Sequence, residues 1–311
     1  MEVLVVRYFC RRQPWHDNCD CKGYCLVEVI DSGSYGTVSR VYHEDKPEQY
    51  YARKQIRLDK SALNTIRNEV DLIRRASHSN MIQVIDDYHD KDWHYIVMSP
   101  LADQNLENSL QEMPKSPVDS AAWSTVAVRR IHKQDIRHRD IKPANILIHG
   151  KHICLADFGT SFHSEASTVR THTSTRGTNK YEAKETQDGS RGGRGADIFS
   201  LGATFFEMAE ALSRPVLVTQ FPCITKPYFA HADNHGFLQS IRKVKERPKH
   251  RSRLPERFRF NEGFLQPLLD LICSMLSSDP IYRPTADEVV RSLESILKEA
   301  GCKRLSCCVG E

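Results

Sequence analysis

Two short polar stretches carry the side chains best suited to chemistry in this chain. They are His138-Arg139-Asp140-Ile141-Lys142-Pro143-Ala144-Asn145 and Ala156-Asp157-Phe158-Gly159. The apolar runs at residues 146–148 and 153–155 lie between them and predict the two strands of a hairpin. A hairpin would put Asn145 beside Asp157, and oxygen ligands of this kind suit Mg²⁺, which takes its remaining oxygens from water and substrate phosphates. Asp140 would then stand free to receive a proton.

The order of these residues resembles the catalytic loop and the Asp-Phe-Gly motif of the eukaryotic protein kinases. The resemblance implies that Asp140 accepts the proton of a substrate hydroxyl and that Lys142 steadies the transferred phosphoryl group. It also implies that Asn145 and Asp157 hold the metal. A lone Asp or Asn in a turn is more often a solvated turn residue, but that reading does not account for the whole ordered string. Lys142-Pro143 resembles the serine/threonine branch, because the tyrosine branch usually carries Ala-Ala-Arg there.

The resemblance continues at a glycine-containing turn between two strand-like segments, residues 26–30 and 37–42. Glycine lets backbone N–H groups approach phosphate oxygens that a side chain would block. The turn resembles the kinase glycine-rich loop, with Asp31 at the place of the usual first glycine. The residues that the resemblance assigns to nucleotide binding here are Ile30, Asp31, Ser32, Gly33, Ser34, Tyr35, Gly36, Thr37 and Val38.

A third strand is predicted over residues 50–56, where Ala52 and Lys54 share one face by the two-residue period of a strand. The apolar face of the helix that follows is marked by Leu63, Ile66, Val70 and Ile73. Glu69 projects from that stripe, and a buried carboxylate is costly unless it is paired. Lys54 is its expected partner, as in the family. For an isolated glutamate, an unpaired position on the helix surface is the alternative.

An adenine pocket between two lobes is also implied by the resemblance. Met98 would be the gatekeeper residue beside adenine, and the backbone of Leu101 would read the purine edge. Leu147 would form the floor of the pocket opposite Ala52. The expected cofactors are therefore ATP and Mg²⁺.

The polar segment at residues 158–184 resembles an activation loop. It is rich in hydroxyl groups and lacks clear periodicity, as expected of a switch between order and disorder. Arg139 is the type of residue that pairs with a phosphate added to such a loop. We expect activation by phosphorylation at Ser174, with Thr173 or Thr175 next, and an upstream activating kinase as a possible partner.

The segment that ends at Glu185 resembles the one that seats the residue after the phosphoacceptor. Thr178 in this segment favours serine and threonine substrates, whereas Lys184 stands where the family usually has proline. Arg283 is the expected buried partner of Glu185. Asp197 is expected to tether the backbone of the catalytic loop, as in the relatives.

Composition limits the class of protein. The chain has 311 residues, of which 40% are hydrophobic, and this length is near the upper limit for a single core. No apolar run approaches the roughly 18 residues that span a bilayer, and the opening lacks the basic leader of a secretory signal. We expect an intracellular protein, cytoplasmic or nuclear. The net charge of +4 is too small to indicate a nucleic-acid partner.

Ten cysteines are concentrated towards the two ends of the chain. The cytosol keeps thiols reduced, so disulfides are not expected. Zinc is an alternative for the N-terminal group, which consists of Cys10, Cys19, Cys21 and Cys25 with His16. Its Cys-x-Cys-x₃-Cys spacing is not one of the usual paired zinc patterns.

We therefore predict an α+β, two-lobed protein kinase fold with a small, mainly antiparallel β-sheet lobe that has one key helix and a larger, mainly helical lobe. The predicted parts are an irregular Cys-containing extension at 1–24, a kinase domain at 25–299 with its small lobe at 25–98 and large lobe at 99–299, and a Cys-rich tail at 300–311. The expected function is a serine/threonine kinase acting on protein substrates. The main alternative, to which Asp31 and Lys184 point, is a catalytically silent kinase-fold scaffold or allosteric binding protein. A small-molecule phosphotransferase ranks third.

Overall fold

A computed structural model describes residues 20, 22–33, 36–58, 62–111, 117–163, 180–187, 193–220 and 262–299. Several positions singled out above lie outside the described residues. They are Ser34 and Tyr35 of the glycine loop, Thr173, Ser174, Thr175 and Thr178 of the polar segment, and all the cysteines before residue 22 and after residue 299.

The N-terminal part of the fold is a five-stranded antiparallel sheet. Its strands are β1 (Tyr24–Gly33), β2 (Gly36–His43), β3 (Lys46–Arg57), β4 (Gln83–Asp90) and β5 (Trp93–Ser99). They lie side by side in the order β1-β2-β3-β5-β4. Consecutive strands pair antiparallel from β1 to β3 and from β4 to β5, and the pairing of β3 with β5 joins the two sets. This arrangement places β3 at the centre of the sheet, between β2 and β5.

One helix, α1 (Ala62–Arg75), packs against one face of this sheet. Ile66 and Val70 of the helix contact Ile96 of β5 and are buried with it. The prediction that Leu63 belongs to the buried stripe is wrong, since its side chain is 40% exposed. Leu63 lies in the first turn of α1, one turn ahead of Ile66, which is the first helix residue in this apolar cluster.

The C-terminal part of the fold is mainly helical. Its helices are α2 (Leu106–Gln111), α3 (Pro117–Lys133), α4 (Lys184–Gln187), α5 (Arg194–Gln220), α6 (Glu262–Met275) and α7 (Ala286–Glu299), with 3-10 turns at Pro143–Asn145 and Pro280–Tyr282. Short strands complete it, namely β6 (Gln104–Asn105), β7 (Ile136–Arg137), β8 (Ile146–His149), β9 (His152–Leu155) and β10 (Phe162–His163). The helix α3 packs on α5 and α7, and α6 packs on the same two helices.

Side-chain hydrogen bonds fix the start of the last helix, α7. At the start of α7, Glu288 Oε2 accepts hydrogen bonds from the Thr285 N–H at 2.7 Å and from the Thr285 hydroxyl at 2.8 Å. The Glu288 N–H donates back to Thr285 Oγ1 at 3.3 Å, which completes a capping box. Val289 and Leu293 are buried against the helical core, as their spacing predicts.

A single hydrophobic cluster joins the two parts of the fold. It includes Ile73 of α1, Phe158 after β9 and Phe199 of α5, which are all almost fully buried. The α+β, two-lobed architecture expected from the sequence is therefore confirmed.

None of the described helices combines the length and the apolar character that crossing a lipid bilayer requires. Cys25 is disulfide-bonded, so the expectation of reduced thiols is wrong for this residue, which in this state offers no thiolate for zinc.

Candidate active site

The predicted hairpin is present and brings the two polar stretches together. The strand β8 pairs antiparallel with β9, with Ile146 opposite Leu155. The next pair continues the ladder, because the Ala156 N–H donates to the Asn145 carbonyl at 3.0 Å. Asp157 follows directly, in a left-handed backbone conformation with φ of 64°. Such a conformation is uncommon for a residue other than glycine and is typical of functional sites.

A lysine from the small lobe meets carboxylates from both lobes. Lys54 Nζ donates to Glu69 Oε1 at 2.7 Å and to Asp157 Oδ1 at 3.3 Å. The Lys54 and Glu69 side chains are only 12% and 5% exposed, so the predicted pairing is present and buried. A Cβ at Gly159 would lie 3.3 Å from Asp157 Oδ1 and 3.5 Å from Glu69 Oε2, so a side chain at this position would contact both carboxylates.

The opposite charges of Lys54 and Asp157 stabilise the ionised form of each other. Burial by itself would lower the pKa of Lys54, but the charges of Glu69 and Asp157 outweigh it and raise that pKa. Burial would likewise raise the pKa of Asp157, but the positive charge of Lys54 holds it below its ordinary value. At neutral pH the cluster therefore contains a lysine cation and an ionised Asp157.

The catalytic loop forms a second polar cluster around Asp140. Its Oδ2 accepts hydrogen bonds from Lys142 Nζ at 2.7 Å and from Asn145 Nδ2 at 2.9 Å. The same Asn145 nitrogen donates to the Asp140 carbonyl at 2.8 Å. Because the amide nitrogen is used in this way, the amide oxygen of Asn145 and the carboxylate of Asp157 are the groups available to a cation. An amide oxygen and a carboxylate are ligands that suit Mg²⁺.

The backbone of the catalytic loop is held by one buried carboxylate. Asp197 of α5 is 1% exposed, and its two oxygens accept from the His138 N–H at 2.9 Å and the Arg139 N–H at 2.8 Å. His132 Nε2 of α3 lies 2.9 Å from Asp197 Oδ2. The predicted tether is therefore present, whereas the contribution of His132 was not predicted. In the sequence His132 is only one polar residue near the end of an amphipathic helix.

A fourth set of contacts fixes the Asp-Phe-Gly segment against the catalytic loop. The His138 ring packs edge-on against Phe158, with the ring centroids 4.8 Å apart. Burial lowers the pKa of His138, and its Nε2 donates to the Ala156 carbonyl at 3.1 Å. The hydroxyls of Thr160 and Ser161 donate to the His138 carbonyl at 3.2 and 3.1 Å. Sequence reasoning missed these two hydroxyls, because serine and threonine are common in polar loops.

Apart from Leu101, which follows β5, the positions assigned to the adenine pocket come from strands of both parts of the fold, namely β1, β2, β3 and β5 of the sheet and β8 of the C-terminal part. Ala52 of β3 lies opposite Met98 of β5, and Met98 packs against the apolar clusters of both lobes. The half-buried residues among these positions are Val38, Ala52, Met98, Leu101 and Leu147. Ile30 is 52% exposed, at the outer end of β1. Half-burial of apolar side chains is expected of the walls of an open cleft.

The described residues on the two sides of the glycine loop pair as antiparallel strands, with irregularities in register between Leu26 and Glu28 and between Val29 and Asp31. Gly33 lies opposite Gly36 in the β1–β2 ladder, and Thr37 lies opposite Ser32. Asp31 Oδ1 accepts from the Ser32 N–H at 2.8 Å, so the residue that replaces the usual first glycine folds back on its own strand. Gly36 has φ of 117°, a conformation that only glycine adopts readily.

The expected partner of Glu185 is also present. Arg283 Nη2 donates to Glu185 Oε2 at 3.0 Å, and the Arg283 side chain is fully buried. The same guanidinium donates to the carbonyls of Ser277 at 2.8 Å and Gly195 at 3.0 Å. Lys184, at the place of the usual proline, is exposed and begins α4.

The hydroxyl sites whose phosphate is expected to pair with Arg139 lie outside the described residues. The Arg139 guanidinium lies over the Phe162 ring, 4.7 Å from the ring centroid. The Arg137 guanidinium lies 5.8 Å from the same centroid. Two cations therefore lie beside the described N-terminal residues of the polar segment.

Comparison with known proteins agrees with this geometry. Residues 24–293 match the family model described as the protein kinase domain. The serine/threonine-protein kinase TIO of Arabidopsis thaliana is 28% identical over 280 residues, which cover 86% of this chain and 20% of that protein.

Two other relatives are also named as protein kinases. Protein kinase 2 of Dictyostelium discoideum is 32% identical over 198 residues, or 60% of this chain and 40% of its own length. The serine/threonine-protein kinase Nek3 of Mus musculus is 28% identical over 247 residues, or 73% of this chain and 47% of its own length. The matched stretch is therefore less than half of each of these three relatives.

Proposed function

Because this chain belongs to the protein kinase domain family, as the match over residues 24–293 shows, we propose that it transfers the γ-phosphoryl group of ATP to serine and threonine hydroxyls of protein substrates. The observation that carries the proposal is the junction of Lys54, Glu69 and Asp157 beside a loop in which Lys142 and Asn145 contact Asp140. This set of charges suits the binding of a polyphosphate next to a group that can accept a proton.

The roles follow from the chemistry of each side chain. Lys54 is held by Glu69 so that its ammonium group faces the phosphates. Asp140 accepts the proton of the substrate hydroxyl as its oxygen bonds to the γ-phosphorus and the bond to the β-phosphate oxygen breaks. Asn145 and Asp157 would hold Mg²⁺, which supplies charge neutralisation on the phosphates when bound.

Within the same loop, Lys142 would stabilise the negative charge that develops on the transferred group, since its ammonium already lies 2.7 Å from Asp140. Nucleotide contacts are proposed for the glycine loop at residues 30–38 and for Ala52, Met98, Leu101 and Leu147. The proposed boundaries of the kinase domain remain residues 25–299.

The preference for serine and threonine rests on Lys142-Pro143 and Thr178. It is supported by the names of two of the relatives, which are serine/threonine-protein kinases. We propose, in addition, that phosphorylation at Ser174, with Thr173 or Thr175 next, activates the enzyme by pairing with Arg139. Full activity of a variant with alanine at all three hydroxyl positions would rule this regulation out.

The proposed activity is tested by incubating the purified protein with ATP, Mg²⁺ and a generic basic protein. We expect phosphate incorporation by the wild type, found on serine and threonine after hydrolysis of the substrate, and a loss of at least about 100-fold in Asp157→Asn. Asp71→Asn, an exposed position on α1, is the matched control and should retain the wild-type rate. Equal, background-level transfer by the wild type and Asp157→Asn would favour the scaffold instead.

A further inference from the structure

A second buried ion pair lies on the face of the small-lobe sheet opposite the Lys54 cluster. Arg53 Nη1 donates to Asp20 Oδ2 at 2.6 Å, and the two side chains are only 9% and 14% exposed. Asp20 precedes both β1 and the start of the family match at residue 24. The pair is therefore made by a residue outside the matched kinase domain and a residue of its central strand.

Asp20 connects strands from both edges of the sheet. Its Oδ1 accepts from the backbone N–H groups of Lys22 and Tyr24, both at 3.0 Å, and so fixes the beginning of β1. Its Oδ2 accepts from Arg53 of β3 and from the Tyr88 hydroxyl of β4. Since β1 and β4 are the two outermost strands, one carboxylate ties both edges of the sheet to its centre.

Aromatic rings surround this ion pair. Tyr88 stacks on Tyr24 and on Tyr95, with ring centroids 5.9 and 5.0 Å apart. The guanidinium of Arg53 lies 5.0 Å from the centroid of Tyr95. These rings remove the ion pair from water, and a buried charge that loses its partner is strongly destabilising. The folded sheet therefore depends on Asp20 as a counter-charge for Arg53.

The strand β3 connects this ion pair to the candidate active site. Arg53 and Lys54 are consecutive residues of β3, so their side chains point to opposite faces of the sheet. One face carries the Arg53–Asp20 pair, and the other carries Lys54 with Glu69 and Asp157. A displacement of β3 towards either face would move both cations together.

We propose that Asp20 is a positioning residue for the nucleotide site, which acts through Arg53 and the central strand on Lys54. The inference rests on the proposed function, because it assigns Lys54 to the phosphates. Without the carboxylate, the Arg53 guanidinium must move outwards to reach water. That movement shifts β3 and weakens the hold of Lys54 on the nucleotide.

The test compares the wild-type protein with Asp20→Asn, which removes the charge and keeps the size of the side chain. We expect the dissociation constant of a nonhydrolysable ATP analogue with Mg²⁺ to rise about 10-fold. The midpoint of thermal unfolding should fall by on the order of 10 °C. In the transfer assay the KM for ATP should rise by a similar factor, whereas the KM for the protein substrate should not change.

Two further variants keep the test decisive. Glu28→Gln is the matched control, because it removes a carboxylate of β1 whose ion pair with Arg40 is 3.4 Å long and exposed; it should bind the analogue as the wild type does. Tyr88→Phe retains the stacked ring and removes one hydrogen bond to Asp20, so it should weaken binding in the same direction but less. If Asp20→Asn does not fold, the affinity of Tyr88→Phe for the analogue provides the test in its place.

The proposal is overturned if a folded Asp20→Asn loses thermal stability but binds the analogue with unchanged affinity, since the residue would then be structural only. It is equally overturned if Glu28→Gln weakens binding as much as Asp20→Asn or Tyr88→Phe does. Analogue binding does not require phosphate transfer. A wild-type protein that binds the analogue without transferring phosphate would contradict the proposed function while leaving the effect of Asp20 measurable.

Discussion

At the scale of single residues, Asp197 determines the backbone shape of the candidate catalytic loop. Its carboxylate is buried, which by itself would raise its pKa. The hydrogen bond and charge of His132, together with the Arg139 N–H, outweigh burial and hold the pKa of Asp197 below its ordinary value. The ionised carboxylate is thus more stable in the folded protein than in the unfolded chain.

This shift predicts a defined dependence of stability on pH. A depressed folded pKa adds stability that is complete above the unfolded value of about 4 and is lost as the pH falls through the folded value. Asp197→Asn removes this contribution. The difference in free energy of unfolding between the wild type and the variant should therefore be largest near pH 7 and shrink below about pH 4, as measured by urea unfolding at several pH values.

Asp45→Asn is the control for this series, because the Asp45 side chain is 82% exposed. Its curve of stability against pH should run parallel to that of the wild type. A difference between wild type and Asp197→Asn that stays constant from pH 7 to pH 2 would contradict the assignment of the tether to the ionised form.

Residue pairs show what could be predicted from the sequence at this scale. The pairing of Lys54 with Glu69 was predicted because the helix period placed a carboxylate on a buried face, and the family resemblance supplied its partner. The Asp20–Arg53 pair was not predicted. Arg53 appears in the sequence as one of two consecutive cations in a strand, and neither periodicity nor spacing identifies a partner 33 residues away.

At the scale of elements, the hairpin of β1 and β2 is shaped by its glycines. A Cβ on Gly36 would lie 2.2 Å from the Gln55 carbonyl oxygen of β3, and the φ of 117° at this position disfavours any side chain. A Cβ on Gly33 would meet no atom within 4 Å among the described residues. The two glycines of the loop are therefore under different constraints, although the sequence presents them as equivalent.

We predict that Gly36→Ala is clearly less stable than Gly33→Ala. The backbone strain alone is worth about 1–3 kcal/mol, and the clash with Gln55 adds to it. Thermal unfolding of the two variants and the wild type measures the difference, with Gly33→Ala as the matched control. Equal midpoints for the two variants would show that the close approach of Gly36 to β3 is not maintained in solution.

The extent of the strands was predicted only in part. Residues 50–56 were predicted as the third strand from their alternation, but β3 begins at Lys46. His43 pairs with Lys46 across a tight turn, so the ladder starts immediately after the turn. Residues 46–49 are Lys46-Pro47-Glu48-Gln49, which are all exposed and show no apolar alternation. By contrast, β8 and β9 were predicted closely, because both are short apolar runs with polar ends.

At the scale of the whole molecule, a few buried charges hold segments that are distant in the sequence. Arg283 joins Glu185 of α4, Gly195 near the start of α5 and Ser277 after α6. Its side chain has no exposed surface. Removing the guanidinium would leave two carbonyl groups and a carboxylate without this donor, and it would detach the segment proposed to seat the substrate from the helical core.

We predict that Arg283→Met lowers the free energy of unfolding by about 3–5 kcal/mol. Lys133→Met is the matched control, because Lys133 forms a 3.9 Å pair with Asp287 in which both side chains are about half exposed. The loss of such an exposed pair costs about 0–1 kcal/mol. Urea unfolding measures both values, and equal losses in the two variants would contradict the structural role of Arg283.

ATP and Mg²⁺ are proposed to bind beside Lys54, Asn145 and Asp157, and a crystal structure of the protein with a nonhydrolysable ATP analogue and Mg²⁺ tests this binding. We expect the phosphates to contact Lys54 and the metal to be bound by Asn145 and Asp157. A cleft that stays empty at saturating analogue, or an analogue bound elsewhere, would contradict this proposal.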